Sequence, residues 1–585
     1  MPKPAPRTAR LRALFLAAVL ALLAACAPEA PPPDDDPPVD DAARAAAGAP
    51  PAPEDTWPVH ERTSPEIRAE DLAYRISTLA DDRFAGRFPG EERGELAADW
   101  IAGEMERMGL QPAGDDGTWF QEVPMIRSTL DEARSSLDIV VGDEPMGLRF
   151  RDDVVYWSPN PEAAVAVDDS ELVFVGYGVT APEYDWDDYA GTDVTGKTVV
   201  ILINDPGFAR PDAGRFNGEA MTYYGRWTYK YEEAARRGAA GAIIVHQAEP
   251  ASYGWTVVHG WAGPQLLLDA GDDEPAIPVH AWAREEVVQR LFEAAGHDFD
   301  ALAEAAAEPG FEAVELGVAR LSASLHSDLE PMVSRNVAGR IEGSARPDEH
   351  LLYMAHWDHM GERVNEDGSV DVYNGAIDNA SGTAFILELA EAIAADDPAP
   401  ERSLLFVAVT AEEQGLLGSE YYARRPLVPL EKTVAGFNFD ALQPVGRTRD
   451  VMVVGKGSSE LEDLLEEKAA AQGHHLVPEA NPAAGSFYRS DHVSLARRGL
   501  PVMYASGGLE HVERGREYGE AMLADYYANR YHEPGDEFDP DWDLSGLVED
   551  AELFAALSRR LANSEDWPNW YEGNEFRALR DAMMD

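Results

Sequence analysis

Apolar positions recur along the chain at two different periods, and the places where the period changes divide it. From Glu66 to Leu110 the spacing is helical. Asp71-Leu72-Ala73-Tyr74-Arg75-Ile76 and Leu96-Ala97-Ala98-Asp99-Trp100-Ile101 set apolar side chains at i, i+3 and i+4. Gly109 supplies a helix stop. Continuous apolar runs at 171–178 and 197–204 read as strands, 229–241 as a helix closed by glycine, and 242–246 as the next buried strand. These predict a self-contained, β-rich unit between 126 and 330. Beyond it, strands at 350–355, 403–409, 433–439 and 500–505 alternate with helices near 380–395, 415–424, 459–472 and 544–563. Apolar strands separated by helices imply an α/β fold, a mostly parallel sheet covered by helices on both faces. No internal repeat interrupts the pattern.

The first residues follow a different logic. Lys3, Arg7, Arg10 and Arg12 precede an apolar stretch from Ala13 to Ala25. That stretch is too short to span a bilayer and has the size of a signal-peptide core. It ends in Leu23-Ala24-Ala25-Cys26, which resembles a bacterial lipobox with Cys26 as the lipidated residue. The alternative is a plain secretory signal with an incidental cysteine. Ala27 after the cysteine resembles outer-membrane sorting. Residues 27–62 are dominated by Pro, Ala and Asp and cannot bury enough apolar surface to fold, so they read as a tether. The expected address is the cell envelope, lipid-anchored, on the outer membrane of a Gram-negative bacterium. Without lipidation it is periplasmic or secreted.

Charge and cysteine content remove several function classes. Asp and Glu number 107 against 48 Lys and Arg, a net charge of −59. Nucleic-acid binding, which needs clustered cations, is disfavoured, and so is a polybasic contact with a membrane. The lone cysteine excludes an intramolecular disulfide and a cysteine-rich zinc site. Any metal must be held by His, Asp and Glu.

Those residues stand where such a sheet binds ligands, just past the carboxyl ends of its strands. His356-Trp357-Asp358 follows the first strand, Thr410-Ala411-Glu412-Glu413 the second and Asp440 the third. Asp378-Asn379-Ala380-Ser381-Gly382 opens a helix, and His532 stands in Tyr531-His532-Glu533-Pro534-Gly535-Asp536. Each has an ordinary explanation alone: a surface histidine, a helix N-cap at Asp378, a solvated Glu pair. Together, successive strand ends deliver acids and imidazoles to one rim. Carboxylates and imidazoles without thiolate suit a pair of zinc ions. One shared carboxylate and two further ligands per metal are supplied by Asp378, His356, Asp440, Glu413 and His532, and Glu412 remains as a base.

In this order, His-x-Asp, Asp-Asn-Ala-Ser-Gly, Glu-Glu, Asn-x-Asp and a late Tyr-His resemble the di-zinc aminopeptidase superfamily. That group includes bacterial leucyl aminopeptidases, glutamate carboxypeptidase II, the transferrin receptor and glutaminyl cyclases. The resemblance implies a peptidase domain formed by residues 63–125 and 331–565, followed by a tail at 566–585. The unit at 126–330 resembles an inserted protease-associated (PA) domain, by Gly176-Tyr177-Gly178, Gly196-Lys197 and Gly238-Ala239-Ala240-Gly241. It implies that Asp378 bridges two Zn2+, that Glu413 and His532 complete one site, and that His356 and Asp440 complete the other. Asp358 would orient His356, Glu412 would serve as catalytic base, and a cis peptide would follow Asp378. Some members use a tyrosine shortly before Ser-Asp-His to stabilise the oxyanion. Before Ser490-Asp491-His492 the candidate is Tyr488, with packing as its alternative; His492 reads as structural and Asp491 as a helix N-cap. The expected activity is hydrolysis of N-terminal residues from peptides. A glutaminyl cyclase of the same fold and a non-catalytic receptor are the alternatives, the latter disfavoured by the complete ligand set. A serine hydrolase is disfavoured because no Ser sits in Gly-x-Ser-x-Gly.

Overall fold

The computed structural model describes residues 63–271, 276–365 and 367–585; the signal-like segment ending in Cys26 and residues 27–62, expected to form a tether, lie outside the described residues. Four parallel strands form the centre of the main sheet, in the order Arg402–Val409, Arg346–His356, Thr433–Asn438 and Val502–Gly507. Antiparallel strands extend it at both sides: Asp450–Val453 beyond the last, and the long strand Val314–Ile341 beyond the first. Alternate residues of Arg346–His356 enter two cores. Leu351, Tyr353 and Ala355 face one, with helices Ala69–Leu79, Glu92–Arg107, Gly382–Ala394, Leu461–Gln472 and Ser545–Ala562 over it. Leu352 and Met354 face the other, under Leu417–Arg424 and His492–Ala496. Burial on both faces is why these strands are uniformly apolar.

Helix Gly382–Ala394 is buried from Gly382 to Ile393, including Glu388 and Glu391. Both acids are held by Arg75 of helix Ala69–Leu79, itself fully buried. This interior ion pair ties the N-terminal segment to the sheet from which it is separated in sequence.

Between these parts lies a second unit with cores of its own. Strands Ala164–Phe174, Thr198–Leu202, Gly241–His246 and Val279–Arg284 run parallel, flanked by helices Trp227–Arg236, Glu285–Ala295 and Phe299–Ala306. The units share one strand. Val314–Ile341 pairs with Ser136–Val141 and Ala164–Phe174 in the second unit, then with Phe120–Leu130 and Arg402–Val409 in the main sheet.

Three local expectations differ from the structure. The helical pattern of Glu66 to Leu110 is two helices, parted where Ala85, Gly86 and Arg87 all take positive φ. The strand expected at 171–178 ends at Phe174, because Gly176 and Gly178 turn the chain at φ +56° and +63°. The helix expected at 229–241 ends at Arg236, with Gly238 at φ +75° just beyond it. Among the described residues, no helix is long and apolar enough to cross a membrane.

Candidate functional site

His356 is the last residue of its strand, Glu412 and Glu413 follow Arg402–Val409, and Asp440 follows Thr433–Asn438. Adjacent parallel strands thus bring them to one rim. The His356 Nε2 lies 3.1 Å from Asp378 Oδ1 and 3.2 Å from Asp440 Oδ1. The His532 Nε2 lies 3.4 Å from Asp378 Oδ2 and 3.1 Å from Glu413 Oε2. The two oxygens of Asp378 therefore face two different imidazoles, as a bridging carboxylate must. Potential ligand atoms of His356, Glu412 and Asp440 gather within 4.8 Å of one another, as do those of His359, Asp378 and Glu413.

The backbone that presents Asp378 is fixed from several sides. Asp536 accepts the N–H groups of Ile377 and Asp378, each at 3.0 Å. The Asn379 amide donates to Phe439 O at 2.9 Å and accepts from Gly382 N at 2.8 Å. The Asp378–Asn379 peptide is cis. Gly382 leaves no room for a Cβ against Asn379 and the Phe439 carbonyl, so the loop of Asp378 is locked to the strand that delivers Asp440. At the neighbouring strand end Ala411 takes φ +55°. The turn sends adjacent carboxylates apart: Glu412 joins His356 and Asp440, and Glu413 joins Asp378 and His532.

The charge balance shows what the site can hold. Asp378, Glu412, Glu413 and Asp440 bring four carboxylates together. Burial, followed by Asp440 and Glu413, pushes Glu412 well above the usual carboxylate range against the pull of His356. Burial alone would lower His356; Glu412 and Asp440 outweigh it and hold the imidazole well above its ordinary value. His532 is likewise raised against burial, chiefly by Glu413 and Asp378. Two divalent cations would neutralise four carboxylates and release both imidazoles as neutral donors. An all-oxygen-and-nitrogen donor set with one bridging carboxylate fits a zinc pair.

Around this centre Asp358, completely buried, accepts the Glu412 N–H at 3.1 Å and lies 3.7 Å from His356 Nδ1. Burial pushes Asp358 up to about 7. Ser490 donates to Asp440 Oδ2 at 2.5 Å, and Tyr504 donates to the Asp440 carbonyl at 2.8 Å. His492 is buried against the edge of the Phe487 ring. Asp491 starts a short helix but its side chain makes no capping bond. The Tyr488 hydroxyl donates to Glu575 at 2.6 Å, and its ring lies beside Tyr223 of the second unit. These contacts are those of the packing alternative.

Sequence reasoning missed His359, whose Nδ1 lies 2.6 Å from Glu413 Oε1, and Asp536. The signals were available: His359 stands three residues after His356, and Asp536 four after His532. Neither spacing distinguishes a support from an unrelated polar residue. Tyr531 of the late Tyr-His stacks on His532, with ring centroids 3.8 Å apart.

The chain is 34% identical over 140 residues to the mouse (Mus musculus) protein "Aminopeptidase NAALADL1", covering 23% of this chain and 17% of that protein. It is 29% identical over 247 residues to a "Probable zinc metalloprotease" of the fungus Leptosphaeria maculans, covering 38% of this chain and 53% of that protein. The chain thus spans at most about half the length of these relatives. The solved structure of an aminopeptidase from Aneurinibacillus sp. strain AM-1 aligns over 86% of this chain and 96% of that one, at 19% identity and a TM-score of 0.44. Every candidate ligand lies within the segment 336–556, and that segment matches the model of peptidase family M28.

Proposed function

We propose that this chain is a zinc-dependent aminopeptidase that holds two zinc ions and removes N-terminal residues from peptides outside the cytoplasm. The observation that carries the reading is the split of one bridging carboxylate, Asp378, between two imidazole–carboxylate pairs, with Glu412 beside one of them. The M28 match over the same residues and the printed names of the relatives support it. His356, Asp378 and Asp440 would hold one ion; His532, Glu413 and Asp378 the other. When bound, the zinc pair supplies Lewis-acid polarisation of a carbonyl and makes water more acidic. The chain's own residues do the rest. Glu412 takes the proton of the attacking water and passes it to the leaving amine. Asp358 holds the backbone from which Glu412 projects. Ser490 occupies the outer oxygen of Asp440 and leaves the inner one toward His356.

The second unit is proposed to be a PA-like module that flanks the site and gives no ligand to it. The amino-terminal pattern ending in Cys26 supports export and lipid anchoring at the cell envelope. The test is a panel of free and N-blocked aminoacyl and peptide substrates, run with metal-depleted and zinc-restored enzyme. Release of the N-terminal residue only from free substrates, lost on chelation and regained with zinc, is expected. Full activity in protein shown to be metal-free, or equal cleavage of blocked substrates, would refute it.

A further inference from the structure

His359 has no place in the five-ligand set, yet it is completely buried at its centre. Its Nδ1 lies 2.6 Å from Glu413 Oε1, while the other oxygen of that carboxylate lies 3.1 Å from His532 Nε2. A separation that short belongs to a charge-assisted hydrogen bond. A carboxylate without a proton can only accept, so Nδ1 is the donor in this contact and is not free to ligate. The other ring nitrogen, Nε2, is buried and meets no hydrogen-bond partner among the described residues. Among the described residues, Glu413 is therefore the one directed polar contact of the ring.

The ring is also held in place. Gly375 sits at φ +52°, and a Cβ there would come within 2.6 Å of the His359 ring carbons. The His359 N–H donates to the Arg87 carbonyl at 3.2 Å. The buried Arg87 guanidinium in turn donates to the carbonyls of Trp357 at 2.7 Å, Leu79 at 2.7 Å and Gly375 at 2.9 Å. Arg87 thus ties the backbone that carries His359 to Gly375, which packs against the ring. The opposite half of the site has a matching arrangement, in which Ser490 takes the outer oxygen of Asp440 at 2.5 Å.

We propose that His359 is a positioning residue for the metal site formed by Asp378, Glu413 and His532. It donates Nδ1–H to Glu413 Oε1, aims Oε2 into that site, and is not itself a ligand. The two sites are then supported differently, one by an imidazole and the other by a hydroxyl, and can be weakened separately.

The inference rests on the two-zinc reading, and its test separates the two. Metal-depleted full-length protein is titrated with zinc against a chromophoric chelator, and both affinities are read without reference to turnover. In His359→Asn the amide nitrogen falls where Nδ1 was and can donate to the same oxygen. In His359→Gln it falls nearer the Nε2 position and cannot. Loss of such a support typically lowers metal affinity about 10–100-fold. Wild type and His359→Asn should bind two zinc ions with affinities within a few-fold of each other. His359→Gln and His359→Leu should weaken one site by that factor and leave the other near wild type. If His359→Gln binds both ions as wild type does, His359 does not position Glu413. If His359→Asn loses the site as fully as His359→Leu, the imidazole is itself a ligand and the proposal is wrong. A wild type that takes up no zinc would instead remove the parent reading.

Discussion

At the scale of single residues, the sharpest contrast is between two neighbours. Glu412 and Glu413 share a strand end, but the positive φ of Ala411 sends one toward His356 and Asp440 and the other toward His532 and Asp378. Glu412→Gln keeps shape and removes the base, so kcat should fall about 10²–10⁴-fold with zinc content unchanged. Glu413→Gln should lose one of two zinc ions, by elemental analysis, because it removes a charged ligand. Exchange of these outcomes would reverse the roles, and unchanged turnover in both would place the chemistry elsewhere. His492 yields a second prediction, for stability. Burial pushes it down to about 3 from an ordinary 6.5. Between those values the unfolded chain binds a proton that the folded chain does not, so stability falls as pH falls through that window. His492→Gln should flatten the dependence of unfolding free energy on pH by up to about 1.4 kcal/mol per pH unit there, as measured by urea denaturation. An unchanged slope would mean that His492 is protonated in the folded protein. Residue types and spacing made the candidate ligands legible, since His356, Glu413 and Asp440 each follow a strong strand signal and Asp378 opens a helix. Supports such as His359 and Asp536 were not legible, because what they do depends on which atom lies opposite them, and only folding decides that.

At the scale of elements, the central strands and their covering helices were read to within a few residues. The expected helix at 544–563 is Ser545–Ala562, and the expected strand at 403–409 lies within Arg402–Val409. Both are long or uniformly apolar, so tertiary contacts agree with local pattern. Val314–Ile341 was not read, and the division placed at 330 falls inside it. Its apolar residues serve two cores in turn, Leu316 to Leu325 in the second unit and Val337 and Ala338 in the main one. Polar positions and Pro331 lie between, so no single alternation runs along it. The packing of helix Ala69–Leu79 on Gly382–Ala394 depends on a feature hydropathy does not detect, the buried Arg75 between Glu388 and Glu391. Removing one partner of a buried ion pair leaves uncompensated charge and costs about 3–5 kcal/mol. Arg75→Met should lower unfolding free energy by that amount in chemical denaturation. A loss below about 1 kcal/mol would show that the Arg107 guanidinium on Glu391 and the Arg68 backbone N–H on Glu388 suffice without it.

At the scale of the whole molecule, the question is how far zinc binding is felt. Anything that binds only the folded state stabilises it, by about 2.7 kcal/mol per site at a free concentration one hundred times Kd. All five proposed ligands project from the main sheet or the segments packed on it, and none lies between 137 and 325. The second unit is nevertheless joined to that sheet by the shared strand and by side-chain contacts. Arg497 bridges to Glu232 at 2.8 Å, and Tyr223 packs near Tyr488 and Phe576. A shared strand transmits stabilisation only if the second unit cannot open while the main sheet stays closed. Its separate cores, built on Val200, Ile243 and Val279 on one face and Val199, Ile201 and Ile244 on the other, favour independent opening. Hydrogen exchange with and without zinc should therefore divide the chain. Amides in Arg346–His356, Arg402–Val409 and Thr433–Asn438 should gain protection on adding zinc. Those in Thr198–Leu202 and Gly241–His246 should keep the protection they had. An equal gain in both sets would mean that the strand couples the two units into one cooperative body, so that the second unit feels the metal centre to which it supplies no ligand.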